Sequence, residues 1–213
     1  MSINRPRVIV GCVGDRFMPG VKESIAEACK RFEDVGESRV LLQRSLCILH
    51  LFGIVTMRNR LCMTAAEEGF THVLLLDNDV RLDEPDILVK LVEADKEIIV
   101  PWSDQKFKAP ALLAVPSFPS GAGVLPISWA CLSSIMFQVP VFEKITPWPF
   151  FDTMCYCEEE TTFQRWRLLG ARAYQHTSAR VSLLRPPTNM WELKPENLLR
   201  IQTPGNVPKA SIR

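Results

Sequence analysis

Apolar and polar residues alternate along the first hundred residues in segments that predict strands followed by helices. Short continuous apolar runs are typical of buried parallel strands, and apolar residues at helical spacing indicate helices packed on a sheet. The predicted strands cover 7–13, 39–45, 72–79 and 97–102, and the predicted helices cover 20–32, 54–69 and 85–94. This order predicts an α/β domain with a mostly parallel, doubly wound, Rossmann-like sheet and helices on both faces.

The pattern changes after residue 102. Half of the 16 prolines lie within 101–150, and short apolar runs between them, such as 129–139, predict antiparallel strands. A helix is predicted over 157–170 and a strand-like segment over 171–184. We therefore expect a single domain at 7–184, followed by a polar, proline-containing C-terminal tail at 185–213 that is either loosely ordered or an arm on the domain surface.

Composition narrows the classes of function. The chain has 213 residues, 47% of them apolar, and a net charge of +1, so it can build a substantial core and gives no general electrostatic reason to expect nucleic-acid binding. Its 7 cysteines are odd in number and contain no CxxC pair, which argues against a disulfide framework or a zinc site. We expect a cytoplasmic protein, because no signal peptide or transmembrane run is visible, with at most peripheral membrane contact through the tail.

The third predicted strand runs directly into Asp77, Asn78 and Asp79. Two carboxylates one residue apart at the end of an apolar strand repel each other and need water, a hydrogen-bond donor or a cation. Parallel sheets bind ligands at this edge, and hard oxygen ligands suit Mn²⁺ or Mg²⁺, which can bridge phosphate oxygens. The alternative is a strand-end turn in which Asp and Asn bond only nearby backbone.

Several segments resemble, in the same order, the GT-A fold nucleotide-sugar glycosyltransferases, and most of all the compact family-2-like members with a DxD motif. The segments that carry the resemblance lie at 55–100, 101–106, 128–145 and 158–174, within a matching region of about 7–184. The resemblance implies a nucleotide-binding half at 7–102 and an acceptor-side half at 103–184. It also implies metal-dependent transfer of a sugar from a UDP- or GDP-type donor to an acceptor hydroxyl of unknown identity, with inversion.

The resemblance also implies roles for individual residues. Asp79 would ligate the metal, and Asp77 would contact the donor sugar or ribose and share in the metal site. Arg58 and Asn59 would face the nucleotide and its diphosphate, for which a guanidinium is well shaped; the alternative is a solvated charge and a helix cap. The nucleotide-sugar site implied in this way comprises Cys12, Gly14, Asp15, Arg58, Asn59, Asp77 and Asn78.

The acidic run before the last predicted helix falls where the family carries its catalytic base. Glu160 aligns best with a carboxylate that takes the acceptor proton, Glu159 is the second candidate, and Glu158 is adjacent. A run of glutamates is also typical of an acidic helix start that the helix macrodipole favours. Both interpretations remain open at this point.

One departure from the family pattern bears on the metal. Many relatives carry a histidine that helps to hold the metal about two dozen residues beyond the acidic pair, whereas the corresponding stretch at 179–184 reads ARVSLL and has none. His176 lies just before it and is a weak substitute. The alternatives to a transferase are a non-catalytic nucleotide-sugar-binding module of the same fold and a DxD phosphatase. Arg81 stands where the phosphatase pattern has Thr or Val.

Overall fold

The computed structural model describes residues 5–14, 17–43, 50–103, 123–128, 130, 132–146, 149–150 and 158–184, without the side chains of 50–53 and 158–161. Predictions made for Asp15, for residues 104–106 of the segment at 101–106 and for the tail at 185–213 lie outside these residues.

The predicted alternation of strands and helices is present. The described strands are β1 (Arg7–Val13), β2 (Glu37–Gln43), β3 (His72–Asp77), β4 (Val80–Leu82), β5 (Ile98–Ser103), β6 (Val124–Ile127), β7 (Ser134–Gln138) and β8 (Ala173–Leu183). The described α-helices are α1 (Val21–Phe32), α2 (His50–Glu67), α3 (Ile87–Glu93) and α4 (Glu158–Leu168), and a 3-10 helix spans Val139–Glu143. None of the helices within the described ranges is long and apolar enough to cross a membrane.

All described strands join one sheet in the order β2-β1-β3-β7-β5-β8-β4, and β6 pairs with β8. Strand β1 pairs in parallel with β2 and β3, and β5 pairs in parallel with β8. Strand β7 lies antiparallel between β3 and β5, and β4 and β6 run antiparallel to β8. The α/β class is confirmed, but the sheet is mixed, because an antiparallel strand from the second half separates the two parallel groups.

Each face of the sheet carries its own hydrophobic core. Alternate residues of β1 point to opposite faces: Ile9 and Val13 belong to the core under α2 and α4, whereas Val8, Val10 and Cys12 belong to the core under α1 and α3. The sheet is therefore covered by helices on both sides, as the sequence predicts.

The carboxyl ends of the parallel strands meet at one edge. Val13 of β1 pairs with Asp77 of β3, and the backbone N–H of Asp77 donates to the Ser133 carbonyl at 2.8 Å, just before β7 begins. The end of β8 reaches the same edge, where the Leu184 N–H donates to the Asp79 carbonyl at 2.8 Å. The Asp77–Asn78–Asp79 turn therefore lies where the ends of three strands converge.

Candidate functional site

The Asp77 carboxylate is held from below by Arg58 of α2. The Arg58 side chain is almost fully buried, and its Nη2 donates to Asp77 Oδ1 at 2.8 Å and to the Leu132 carbonyl at 3.1 Å. Its guanidinium carbon lies 5.6 Å from the centroid of the Phe150 ring. A buried guanidinium is costly unless it is paired, so these contacts fix both the arginine and the carboxylate that it meets.

Asn78 occupies the space above the end of β1. A Cβ atom on Gly14 would lie 2.3 Å from Asn78 Cγ, and Gly14 has a φ of +149°, so only glycine fits at this position. The Asn78 carbonyl accepts a hydrogen bond from the Met18 N–H at 2.9 Å. Gly14 and Asn78, both predicted to bind the donor, are thus in direct contact.

Asp79 lies half-buried in the turn between β3 and β4. Its carbonyl accepts the Leu184 N–H at 2.8 Å, and its carboxylate is the hard oxygen group that suits a divalent metal. Across the ranges that the structure describes, no group of three or more His, Cys, Asp and Glu side chains could hold a metal ion. One or two protein carboxylates are sufficient for Mg²⁺ when substrate phosphates and water supply the other ligands, and an all-oxygen set fits that chemistry.

His176 is not placed to join this carboxylate. It pairs with Pro101 of β5 and Val124 of β6, eight positions before Leu184, whose N–H meets the Asp79 carbonyl. Its Nδ1 accepts a hydrogen bond from the Ser178 N–H at 3.3 Å. Burial, followed by the charge of Lys90, lowers its pKa.

Cys12 lies underneath the turn and does not line an open surface. Its side chain is fully buried, and its thiol donates to the Asp77 carbonyl at an Sγ–O distance of 3.5 Å. Burial raises its pKa to about 12, and the carboxylates of Asp77 and Asp79 add to the effect. The thiol therefore stays protonated at neutral pH, and Cys12 can offer a nucleotide only its backbone.

Asn59 faces the second half of the chain. It is 7% exposed, its Oδ1 accepts from the Phe150 N–H at 2.9 Å, and its Nδ2 donates to the Phe150 carbonyl at 3.1 Å. Both ends of the amide are thus bonded to the backbone of one residue. The sequence contained no local signal for this contact, because the two residues are 91 positions apart.

The acidic run forms the first turn of α4, and the side chains of Glu158, Glu159 and Glu160 lie outside the described atoms. Phe163 and Trp166 anchor this helix in the core that also contains α2. The Trp166 Nε1–H donates to the Pro149 carbonyl at 2.8 Å. The helix that carries the candidate base is therefore attached to the same face of the sheet as Arg58 and Asn59.

No family model and no curated protein sequence matches this chain. Solved structures do match it in fold. The catalytic domain of Drosophila beta1,4-galactosyltransferase 7, in complex with xylobiose, is 9% identical with a TM-score of 0.52, over 84% of this chain and 71% of that one. Staphylococcus aureus TarS 1–349, in complex with UDP, is 12% identical with a TM-score of 0.53, over 82% of this chain and 59% of that one.

A third match is the mannosyltransferase PcManGT from Pyrobaculum calidifontis in complex with GDP-Man and Mn²⁺. It is 14% identical with a TM-score of 0.50, over 88% of this chain and 59% of that one. The matched region thus spans 59% of each of the TarS and PcManGT chains, less than two thirds. At these identities the comparisons establish architecture: the chain has the GT-A fold of the nucleotide-sugar glycosyltransferases.

Proposed function

We propose that this protein is a metal-dependent glycosyltransferase that moves a sugar from a UDP- or GDP-type donor to an acceptor hydroxyl, with inversion at the sugar carbon. The observation that carries the proposal is the Asp77–Asn78–Asp79 turn at the carboxyl edge of β3, with Asp77 already held by Arg58 at 2.8 Å. Solved proteins of this fold that were crystallised with UDP, and with GDP-Man and Mn²⁺, support it.

On the donor side, the nucleotide binds against the end of β1. The glycine at position 14 allows a ligand or side chain to approach the backbone closely, as Asn78 already does. Asp15 follows directly in sequence and completes this part of the proposed site. Asp77, fixed by Arg58, accepts hydrogen bonds from the sugar or ribose hydroxyls of the donor.

Asp79 is the proposed metal ligand, because its side chain lies in the turn and Asp77 Oδ1 is committed to Arg58. Held by Asp79, Mn²⁺ or Mg²⁺ would supply positive charge that offsets the negative charge of the departing nucleoside diphosphate. Asp77 is the second candidate ligand, and the backbone bond from Leu184 to Asp79 keeps the turn in place.

On the acceptor side, Glu160, or alternatively Glu159, acts as the general base. Its carboxylate takes the proton of the acceptor hydroxyl while the hydroxyl oxygen forms a bond to the sugar carbon. The bond from that carbon to the diphosphate oxygen breaks on the opposite side, and the nucleoside diphosphate leaves with the electron pair. Attack from the opposite side inverts the configuration of the sugar carbon.

Calorimetry tests the proposal with UDP, GDP and their sugars, each with and without Mn²⁺. We expect one nucleotide to bind the wild type more tightly with Mn²⁺, and Asp79→Ala to lose that metal-dependent gain. Asp83→Ala is the matched control, because Asp83 lies just after β4 and pairs with Arg81 at 3.2 Å outside the turn. If no nucleotide binds in either condition, the transferase proposal is wrong.

Two other outcomes separate the alternatives. Nucleotide binding that Asp79→Ala leaves unchanged, with no hydrolysis or transfer of any donor, indicates a non-catalytic binding module. Phosphate release from simple phosphomonoesters that Asp77→Asn abolishes indicates a phosphatase, because that class uses the first aspartate as its nucleophile.

A further inference from the structure

We infer that two consecutive residues of α2, Arg58 and Asn59, act as positioning residues that hold the donor carboxylate and the base-carrying helix in one fixed arrangement. The expected effect on turnover rests on the function proposed above, whereas the structural effect does not. Neither residue would act by contacting the nucleotide, which is the role that the resemblance implies for them.

Arg58 supplies the contact to the donor side. Its Nη2 reaches Asp77 Oδ1 on β3 and the carbonyl of Leu132, which precedes β7. The Arg58 side chain is 5% exposed and that of Asp77 is 30% exposed. The arginine therefore lies beneath the carboxylate, which leaves Asp77 as the group that can meet a ligand at the edge of the sheet.

Asn59 supplies the contact to the acceptor side. Its amide both accepts from the Phe150 N–H and donates to the Phe150 carbonyl. This pairing needs one acceptor and one donor on the same short side chain, which asparagine provides, whereas aspartate lacks the donor and leucine lacks both. The two hydrogen bonds to the Phe150 backbone thus explain why position 59 is an asparagine.

Phe150 then connects to α4. Its ring meets the Trp166 ring edge-on at a centroid distance of 5.8 Å, and the Trp166 indole donates to the neighbouring Pro149 carbonyl. The Arg58 guanidinium lies over the same Phe150 ring. A continuous series of contacts therefore runs from Asp77 through α2 to the helix whose first turn carries Glu158 to Glu160.

This arrangement matters for a transfer reaction because the acceptor oxygen, the sugar carbon and the base must be aligned. A misplacement of about 1 Å can lower a rate roughly 100-fold even when binding is intact. Loss of the Asn59 contact should consequently lower turnover much more than it lowers affinity for the nucleotide, because Asn59 touches the acceptor-side segment and not the donor turn.

The test compares Asn59→Ala with Val55→Ala, a substitution of another buried α2 residue in the same core. Hydrogen exchange, calorimetry with UDP or GDP, and release of nucleotide from the matching donor sugar are measured on both variants. For Asn59→Ala we expect faster exchange of the Phe150 amide and of α4, a nucleotide Kd within about twofold of wild type, and a kcat lower by about 10-fold to 100-fold. For Val55→Ala we expect lower thermal stability with kcat within about twofold of wild type.

Three results would overturn the inference: unchanged protection of Phe150 and α4 in Asn59→Ala, an unchanged kcat despite lost protection, or an equal loss of kcat in Val55→Ala. A wild type that binds no nucleotide refutes the proposed function instead. In that event the exchange comparison alone decides the positioning inference, since it needs no ligand.

Discussion

The two faces of the sheet are packed in different ways. Among the described residues, every fully buried side chain that α1 and α3 contribute is apolar. On the opposite face, α2 and α4 also bury Arg58, Asn59 and Thr162. Burying a polar group costs free energy unless it is hydrogen-bonded. Arg58 and Asn59 both have hydrogen-bond partners, and these fix a specific geometry.

This difference separates two tasks. The α1 and α3 face stabilises the sheet by burying apolar surface. This contribution depends little on the orientation of single groups. The α2 and α4 face holds the candidate site, where the direction of each hydrogen bond matters. Substitutions that lower the free energy of unfolding by similar amounts on the two faces should therefore have different effects on ligand binding.

The largest effect is expected for Arg58→Met, which removes the positive partner of Asp77 and leaves a half-buried carboxylate. We expect the free energy of unfolding to fall by about 3 kcal/mol, at the lower end for a broken buried pair because Asp77 is partly hydrated. Nucleotide affinity should fall as well, since Asp77 is no longer held. Urea unfolding and calorimetry measure the two quantities.

Ile25→Ala is the matched control for Arg58→Met on the other face. Ile25 is a fully buried residue of α1, and its truncation should also lower the free energy of unfolding by about 3 kcal/mol. The nucleotide affinity of Ile25→Ala, measured on the folded fraction, should equal that of the wild type. If the two variants lose affinity equally, the division of tasks between the faces is wrong.

A smaller effect is expected for Gly14→Ala, where the new methyl group would overlap Asn78. The clash should cost about 2 kcal/mol and displace the Asp77–Asn78–Asp79 turn, which weakens nucleotide binding. Gly170→Ala is its control: Gly170 has a φ of +82°, but a Cβ there meets nothing within 4 Å, so only about 1 kcal/mol of backbone strain is expected. An equal cost in unfolding experiments for both variants would show that the contact with Asn78 is unimportant.

Thr162→Val should stabilise the protein. Thr162 Oγ1 is buried without a hydrogen-bond partner among the described residues. Valine keeps the shape and removes the unsatisfied hydroxyl, so the unfolding midpoint should rise by the equivalent of about 1 kcal/mol. Thr162→Ala, which removes the hydroxyl but also leaves a cavity, should be less stable than Thr162→Val. A destabilised valine variant would indicate that the hydroxyl has a partner in solution.

The smallest effect concerns Cys12 and alkaline pH. Its pKa is raised from 9.0 to about 12 in the folded protein, so the unfolded chain releases the proton first. The stabilisation from the neutral buried thiol is complete below pH 9 and is lost as pH rises toward 12. Between pH 8 and 9.5, the free energy of unfolding of the wild type should decline by up to about 1 kcal/mol more than that of Cys12→Ala. If the free energies of unfolding of wild type and Cys12→Ala decline in parallel, the thiol is exposed to water.

Much of the fold could be predicted because its signals are local. The apolar runs that became β1 and β3 and the helical spacing of α1, α2 and α4 lie within single segments. The position of β7 could not be predicted, since its pairing joins Leu74 to Met136 and no short stretch of sequence specifies that contact. Strand β4 has only 3 residues, too few for a period to be visible.

The candidate site was predictable to the same extent. The position of Asp77 and Asp79 at the carboxyl end of β3 could be predicted from the strand pattern, whereas Gly14 was assigned to the site only through the family resemblance. The burial of Cys12 was also readable, because Val8, Val10 and Cys12 share one face at the two-residue period of a strand. The backbone contact of Asn59 was not, because it depends on a residue in the other half of the chain.

The most direct test of the central claim is nucleotide release from a panel of UDP- and GDP-sugars in the presence of Mn²⁺, with wild type, Asp79→Ala and Asp83→Ala. The account predicts that wild type and Asp83→Ala release UDP or GDP from at least one donor, and that Asp79→Ala is slower by about 100-fold or more, in line with the loss of metal-assisted charge stabilisation. Equal release by wild type and Asp79→Ala, or no release from any donor by the wild type, would contradict it.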